Sequence, residues 1–259
     1  LPAYCGAQLI LGPADATANP LQLVRALRTA ECTFLQATPS TWRLLFETCP
    51  EMTLPQTVAS GGEALSEPLA AFLYAGSRSA WNLYGPTETC IWSMAWAIQP
   101  GPVYLGEPLG NTDLYLIGED GHPVAEGEPG ELHIGGLGVA PGYWERPELT
   151  ADRFREAPGG RIFRTGDRVV HTTEGFRFLG RLDNQVKIGG LRLELEGIES
   201  HLRTHPKVRA AVVCSNGQSE QPSLVAFYQA EEELEPSALR KLLMAKLPSG
   251  AIPTGFYRV

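Results

Sequence analysis

Residues 82–88 read Asn-Leu-Tyr-Gly-Pro-Thr-Glu and bring an aromatic ring, a tight turn, a hydroxyl and a carboxylate together. The ring of Tyr84 can stack on a flat base, and the hydroxyl of Thr87 can donate a hydrogen bond to a phosphate. The carboxylate of Glu88 is the kind of ligand that holds Mg²⁺ beside nucleotide phosphates. These residues predict a nucleotide site, although a Gly-Pro step alone marks turns in every kind of protein.

Later segments of the chain extend this pattern. Residues 130–154 are rich in glycine and contain Tyr-Trp-Glu-Arg-Pro-Glu-Leu-Thr, residues 163–167 read Phe-Arg-Thr-Gly-Asp, and residues 180–199 contain Gln-Val-Lys-Ile-Gly-Gly. With residues 82–88, these segments resemble the adenylate-forming enzymes, and most closely the adenylation domains of nonribosomal peptide synthetases. The resemblance spans essentially all 259 residues. It implies activation of an amino acid with ATP to aminoacyl-AMP, followed by transfer to the phosphopantetheine thiol of a carrier domain.

The resemblance also implies a role for each nucleotide-site residue near the first segment. Tyr84 stacks on adenine, Gly62 lets the base approach the backbone closely, and Asn82 offers its amide to the polar edge of the base. Thr87 binds the α-phosphate, and Glu88 holds Mg²⁺ as pyrophosphate departs. The competing interpretations are a core aromatic residue for Tyr84 and a surface carboxylate for Glu88.

Further roles are implied near the C-terminal end of the resemblance. Asp167 receives both ribose hydroxyls, because a carboxylate can accept two hydrogen bonds, and Arg181 contacts ribose or phosphate. Asp183 marks the hinge about which a small subdomain turns between two poses. Gly189 and Gly190 let the pantetheine arm pass close to the backbone, although the family commonly has arginine at the position of Gly189.

A set of residues is similar to the substrate pocket of glycine-activating domains. It comprises Gln36, Ala59, Gly61, Leu83, Ile91 and Trp92, and departs from that signature at Ala59, where leucine is usual. The Trp92 ring is large enough to fill the space that a substrate side chain would need, and overpacking carries a steep penalty. We expect glycine as the substrate, with alanine or another small residue next. Alternatively, Trp92 is a core residue beside a roomier pocket.

The resemblance implies family segments that the chain does not contain. The phosphate loop and the aspartate that pairs with the substrate amino group would precede Leu1, and the catalytic lysine would follow Val259. We therefore expect the C-terminal part of an adenylation core with most of its small subdomain, inactive in adenylation by itself. The expected partners are a peptidyl carrier domain, a neighbouring condensation domain and a small MbtH-like accessory protein. The rival interpretations are an acyl- or aryl-CoA ligase and a non-catalytic or split unit that serves as a docking platform.

Composition excludes several other classes of protein. The net charge of −8 argues against a nucleic-acid partner, which needs clustered lysine and arginine. No stretch of about 18 apolar residues is present to span a membrane, and we expect a cytoplasmic protein. The five cysteines lack a Cys-x-x-Cys spacing, so we expect no metal apart from nucleotide-bound Mg²⁺.

The predicted secondary structure changes in character along the chain. Strand-like and helix-like stretches alternate first, which predicts a helix-covered parallel sheet over residues 1–105. The predicted strands are 8–11, 33–36 and 57–59, and the predicted helices are 20–29, 40–48 and 66–74. Residues 106–182 have short strands with frequent turns and predict a β-rich subdomain. Residues 183–259 predict a small mobile α+β subdomain, so that the whole is a mixed α/β fold, part of the adenylate-forming enzyme fold.

Overall fold

The computed structural model describes residues 4–12, 19–216 and 223–259. They belong to two units, which divide between Gly180 and Arg181. The predicted division into three domains, at residues 105 and 182, stays a prediction. What was expected to precede Leu1 or to follow Val259 lies outside the described residues.

The first unit contains a five-stranded sheet. Its strands, in order across the sheet, are β1 (Phe34–Ala37), β2 (Thr57–Gly61), β3 (Ser79–Tyr84), β4 (Met94–Ala97) and β5 (Glu107–Pro108). β1, β2 and β3 are parallel, whereas β4 and β5 run antiparallel to their neighbours. Parallel neighbours need a crossover connection, and helices provide the crossovers here.

Helix α1 (Pro20–Thr29) precedes β1, and α2 (Pro39–Thr48) and α3 (Glu67–Gly76) provide the two crossovers. Each has proline in its first turn, where the missing N–H needs no partner. The Asn19 side chain caps α1 by accepting from the Gln22 N–H at 3.2 Å, and Thr38 caps α2 through the Thr41 N–H at 3.3 Å. Their apolar sides pack on the sheet in a core that includes Trp42, Leu45, Val58, Leu69 and Leu73.

A second sheet of the first unit follows along the chain. Its strands are β6 (Thr112–Ile117), β7 (Pro129–Gly136), β8 (Phe154–Ala157), β9 (Gly160–Thr172) and β10 (Gly175–Arg181), and α4 (Pro147–Arg153) precedes β8. The strand order is β10-β9-β7-β6, with β8 paired to β9. Tyr84 and Met94 of the first sheet share a buried cluster with Leu132, Ile134 and Val169 of the second. This cluster holds the end of β3 against the middle of β7 and β9.

The second unit has its own core. It begins with an antiparallel hairpin, β11 (Gln185–Ile188) and β12 (Leu191–Glu194). Helix α5 (Leu195–Leu202), strands β13 (Ala210–Ser215) and β14 (Leu224–Gln229), helix α6 (Pro236–Met244) and strand β15 (Gly255–Arg258) follow. The three strands form a sheet in the order β13-β14-β15, and Ile198, Leu202, Leu239 and Leu243 of the helices are buried with it.

Most predicted elements of the first hundred residues are observed within a residue or two of their predicted bounds. The strand predicted at residues 8–11 is wrong, because this stretch has irregular backbone and the side chains of Leu9 and Leu11 are exposed. A short apolar run does not distinguish a strand from a loop without a neighbour to pair with. None of the described helices has the length and apolar character needed to cross a membrane.

Candidate functional site

The predicted pocket residues of the first sheet share one face of it. Gln36 of β1 pairs with Ala59 of β2, and Gly61 of β2 pairs with Leu83 of β3. Paired residues point to the same side of a sheet, as do residues two apart on one strand. These four residues therefore line one face, opposite to the face on which Val58 packs against the helices.

The Trp92 ring lies over this face at Gly61. A Cβ added to Gly61 would come within 2.5 Å of Trp92 Cη2 and 2.7 Å of both Trp92 Cζ3 and the Leu83 carbonyl oxygen. No side chain fits between the strand and the ring, since carbon atoms in contact are normally about 3.5–4.0 Å apart. The ring therefore packs directly on the glycine backbone, and five of the predicted pocket residues are brought together.

A strained turn delivers Trp92 to this position. Cys90 and Ile91 have φ values of 63° and 76°, and such a value is a genuine outlier for a β-branched residue. A Cβ on Gly85 would lie 2.4 Å from the Ile91 carbonyl oxygen, so the turn folds back tightly on itself. The Ser93 N–H closes it by donating to the Tyr84 carbonyl at 2.8 Å. Ile91 itself is 61% exposed.

The residues expected to hold adenine and ribose are in contact with each other. The Tyr84 hydroxyl donates to Asp167 Oδ2 at 2.5 Å, and both side chains are buried. Residues 83 positions apart in the chain thus form one polar pair at the edge of an apolar cluster. The resemblance implied a neighbourhood for these two residues, but not this hydrogen bond.

Asp167 lies in a bulge of β9. Glu131 of β7 pairs with Arg168 and His133 pairs with Arg164, so Leu132 alone is opposite residues 165–167. The Thr165 hydroxyl donates to the Leu132 carbonyl at 2.7 Å and accepts from the Asp167 N–H at 3.0 Å. Bulges of this kind commonly redirect a side chain beside an active site.

A partly buried carboxylate supports the same bulge. Glu131 Oε1 accepts from the Gly166 N–H at 3.1 Å, and Oε2 accepts from the Arg164 guanidinium at 3.1 Å. His133 Nε2 lies 3.3 Å from Oε2, an ion-pair distance without the alignment of a hydrogen bond. Burial raises the pKa of Glu131, but the contacts with His133 and Arg164 outweigh it and lower the pKa from 4.5 to about 2.

Glu88 is buried and oriented by a residue that sequence reasoning did not single out. The Tyr143 hydroxyl donates to Glu88 Oε1 at 2.5 Å, and the Ala140 N–H donates to the Glu88 carbonyl at 2.8 Å. Among the described residues no group of three or more His, Cys, Asp or Glu side chains is placed to hold a metal. One carboxylate fits nucleotide-bound Mg²⁺, which takes one or two carboxylates and completes its shell with phosphates and water.

The remaining residues predicted near the base and the phosphates differ in their surroundings. Thr87 is exposed and begins a single 3₁₀ turn, Thr87–Thr89. Gly62 has a φ of +91°, which favours glycine, and its nearest neighbour is the Thr38 methyl group, 3.8 Å from an added Cβ. The buried Asn82 amide donates to the Tyr104 carbonyl at 2.8 Å. That bond occupies part of the amide that was expected to reach the base.

Within the second unit, Arg181 and Asp183 are paired with each other. The guanidinium forms two hydrogen bonds of 2.7 Å to the Asp183 carboxylate and a third of 2.7 Å to Gln185 Oε1. The predicted ribose or phosphate contact and the predicted hinge therefore belong to one local network. Gly189 and Gly190, with φ of 58° and 79°, form the two-residue turn between β11 and β12. Such a turn requires positive φ at both positions, which accounts for glycine at 189.

Comparison with known proteins identifies the class. The chain belongs to the AMP-binding enzyme family, whose model matches residues 1–144. It is 37% identical over 267 residues to a dimodular nonribosomal peptide synthase of Bacillus subtilis and 37% identical over 271 residues to tyrocidine synthase 3 of Brevibacillus parabrevis. Each alignment covers 99% of this chain, but the chain spans only 11% and 4% of those relatives. It therefore matches an adenylation segment of much longer proteins.

Solved structures agree with this assignment. The adenylation domain AlmE of Vibrio cholerae, solved with glycyl-adenosine-5′-phosphate, matches 98% of this chain with a TM-score of 0.87 and 25% identity, over 51% of its own length. The four-domain nonribosomal peptide synthetase AB3403, solved with AMP and glycine, matches 98% of this chain with a TM-score of 0.66 and 40% identity, over 20% of its length. The predicted mixed α/β fold of an adenylate-forming enzyme is confirmed.

Three residues that hold other residues of the site in place were not predicted from the sequence. Tyr143, Glu131 and Thr165 lie inside the quoted segments, but only the fold reveals that they contact Glu88, Gly166 and Asp167. The signal available was the position of Glu131 two residues before His133, which puts both side chains on one face of a strand.

Proposed function

We propose that this chain is the part of an adenylation domain that binds the nucleotide and closes a pocket for glycine. The main support for glycine as the substrate is the position of the Trp92 ring over Gly61, on the same sheet face as Gln36, Ala59 and Leu83. A substrate side chain would have to displace the ring, whereas hydrogen needs no space. Two solved relatives, AlmE and AB3403, hold glycyl and glycine ligands and support the same substrate.

In this proposal the residues act by binding and orienting the reactants. Tyr84 stacks on adenine and Asp167 accepts from the ribose hydroxyls, which fixes the α-phosphate near Thr87. The amino-acid carboxylate attacks the α-phosphorus, a P–O bond forms, and pyrophosphate leaves with the electrons of the broken bond. Mg²⁺ held by Glu88 supplies positive charge to the phosphates when it is bound. Tyr143 keeps the Glu88 carboxylate oriented.

The second step and the partners follow from the same proposal. A phosphopantetheine thiol on a carrier domain attacks the acyl carbon, and AMP leaves. Asp183 would serve as the hinge, Arg181 would contact ribose or phosphate, and Gly189 and Gly190 would border the path of the arm. A condensation domain and an MbtH-like protein would be neighbours of the complete synthetase, which we assign to the cytoplasm, where ATP is available.

The class is tested with the complete adenylation domain that carries this sequence. Amino-acid-dependent exchange of pyrophosphate into ATP is expected, and Glu88→Gln is expected to lower its rate at least about tenfold. Glu156→Gln is the matched control, because Glu156 is an exposed carboxylate paired with Arg161 at 2.9 Å. Formation of a CoA thioester without amino-acid-dependent exchange would instead support the ligase, and no exchange at all would support the docking platform.

A further inference from the structure

A carboxylate outside the nucleotide-binding set reaches the segment that presents Asp167. Glu131 lies on β7 at the last regular pair before the β9 bulge, and His133 lies at the first regular pair after it. Residues two apart on a strand point to the same side, and Arg164 pairs with His133. The three side chains therefore meet on one face, opposite to the face on which Leu132 and Ile134 enter the core.

The Glu131 carboxylate supplies a hydrogen-bond acceptor that the bulge cannot obtain from the backbone of β7. Residues 165–167 are opposite Leu132 alone, so their backbone cannot continue the ladder of β7. The N–H of the buried residue Gly166 donates to Glu131 Oε1 at 3.1 Å, and the opposite oxygen is held by Arg164 at 3.1 Å. A buried N–H without an acceptor is costly, so the carboxylate fixes the bulge in this one form.

We propose that Glu131 is a positioning residue, which holds the Gly166 amide so that the neighbouring Asp167 carboxylate faces the ribose hydroxyls. The inference rests on the proposed ribose role of Asp167. Gly166 has a φ of +73°, which glycine adopts readily, and it lies where β9 leaves the ladder of β7, so its N–H takes an acceptor from a side chain. Tyr84 fixes Asp167 at the carboxylate end, and Glu131 fixes the N–H of the preceding residue, Gly166.

This role predicts an effect on the ribose hydroxyls and not on the nucleotide in general. In the complete adenylation domain, the affinity for ATP is compared with that for 2′,3′-dideoxy-ATP by equilibrium binding. We expect the wild type to prefer ATP, and Glu131→Ala to lower the preference at least about fivefold towards the value of Asp167→Asn. Glu131→Gln retains an oxygen acceptor for the Gly166 N–H, and we expect it to keep most of the preference. The control Glu156→Gln should keep all of it.

Each result bears on a separate claim. A folded Glu131→Ala variant with the full wild-type preference overturns the positioning role, and so does an equal loss of affinity for both nucleotides. Where Glu131→Ala does not fold, Glu131→Asp takes its place: it keeps the charge near Arg164 but is too short to hold the amide, and an unchanged preference overturns the role. A wild type that binds ATP without any preference for the ribose hydroxyls overturns the ribose role of Asp167 itself, and this inference with it.

Discussion

Replacing Gly61 with alanine tests the packing that defines the proposed glycine pocket. The added methyl carbon would lie 2.5 Å from Trp92 Cη2 and 2.7 Å from the Leu83 carbonyl oxygen. The ring must therefore move by about 1 Å to reach a normal contact distance. The half-buried ring can shift, but the Leu83 oxygen is backbone of a central strand and can move only with the strand.

The expected magnitude follows from these two contacts. Inserting a methyl group into a packed site costs about 1–3 kcal/mol, and we expect Gly61→Ala in the upper part of that range because one contact is backbone. Removing the ring as well, in Gly61→Ala with Trp92→Ala, relieves the ring contacts but leaves the Leu83 contact. In the Trp92→Ala background, Gly61→Ala should therefore still lower the free energy of unfolding, but by less than it does in the wild type.

The assay is urea unfolding together with glycine-dependent pyrophosphate exchange, measured on the complete adenylation domain. Gly110→Ala is the matched control in the same unit, because an alanine there meets nothing within 4 Å and Gly110 does not have a positive φ. It should change the free energy of unfolding by less than about 0.5 kcal/mol. If Gly61→Ala is as stable as Gly110→Ala and retains exchange, the ring does not lie on the glycine and the pocket argument is refuted.

The other predictions concern the carboxylates of the site. Tyr84→Phe removes the hydroxyl that donates to Asp167 and should lower the free energy of unfolding by about 1.5–3 kcal/mol in urea; an unchanged value would contradict the bond. Tyr143→Phe removes the donor that orients Glu88 and should raise the Mg²⁺ concentration for half-maximal exchange about tenfold; the same requirement as wild type would contradict that role. Because the pKa of Glu131 is lowered from 4.5 to about 2, its stabilisation is complete above pH 4.5 and is lost as the pH falls towards 2. The stability advantage over Glu131→Gln, at most about 3 kcal/mol, should shrink over that range in unfolding measurements; parallel curves would contradict it.

Much of the fold could be predicted because local signals agreed with the tertiary structure. Helices α1 and α2 begin at prolines that follow the capping residues Asn19 and Thr38, so their starts can be recognised in the sequence. The hairpin of β11 and β12 was missed, although the glycine pair 189–190 between two stretches of alternating apolar and polar residues is a turn signal. The two glycines were interpreted by their implied role beside the pantetheine arm, and not as a turn between strands.

The candidate site was predictable as a set of residues but not as a network. The resemblance supplied Tyr84, Asp167 and Trp92 by position. It could not supply the bond between Tyr84 and Asp167, which depends on how β3 packs against the second sheet. Nor could it supply the bulge of β9, which depends on the register between β7 and β9. The positive φ of Ile91 is equally hidden, since isoleucine rarely adopts that conformation and the sequence gives no warning of it.

The most direct test of the central claim is amino-acid-dependent pyrophosphate exchange with a panel of amino acids, on the complete adenylation domain and its Trp92→Ala variant. We expect the wild type to use glycine at least about tenfold better than alanine and to reject larger side chains. We also expect Trp92→Ala to gain activity with alanine or larger residues, because the ring no longer fills that space. Stronger wild-type exchange with a larger amino acid than with glycine would contradict the proposed pocket.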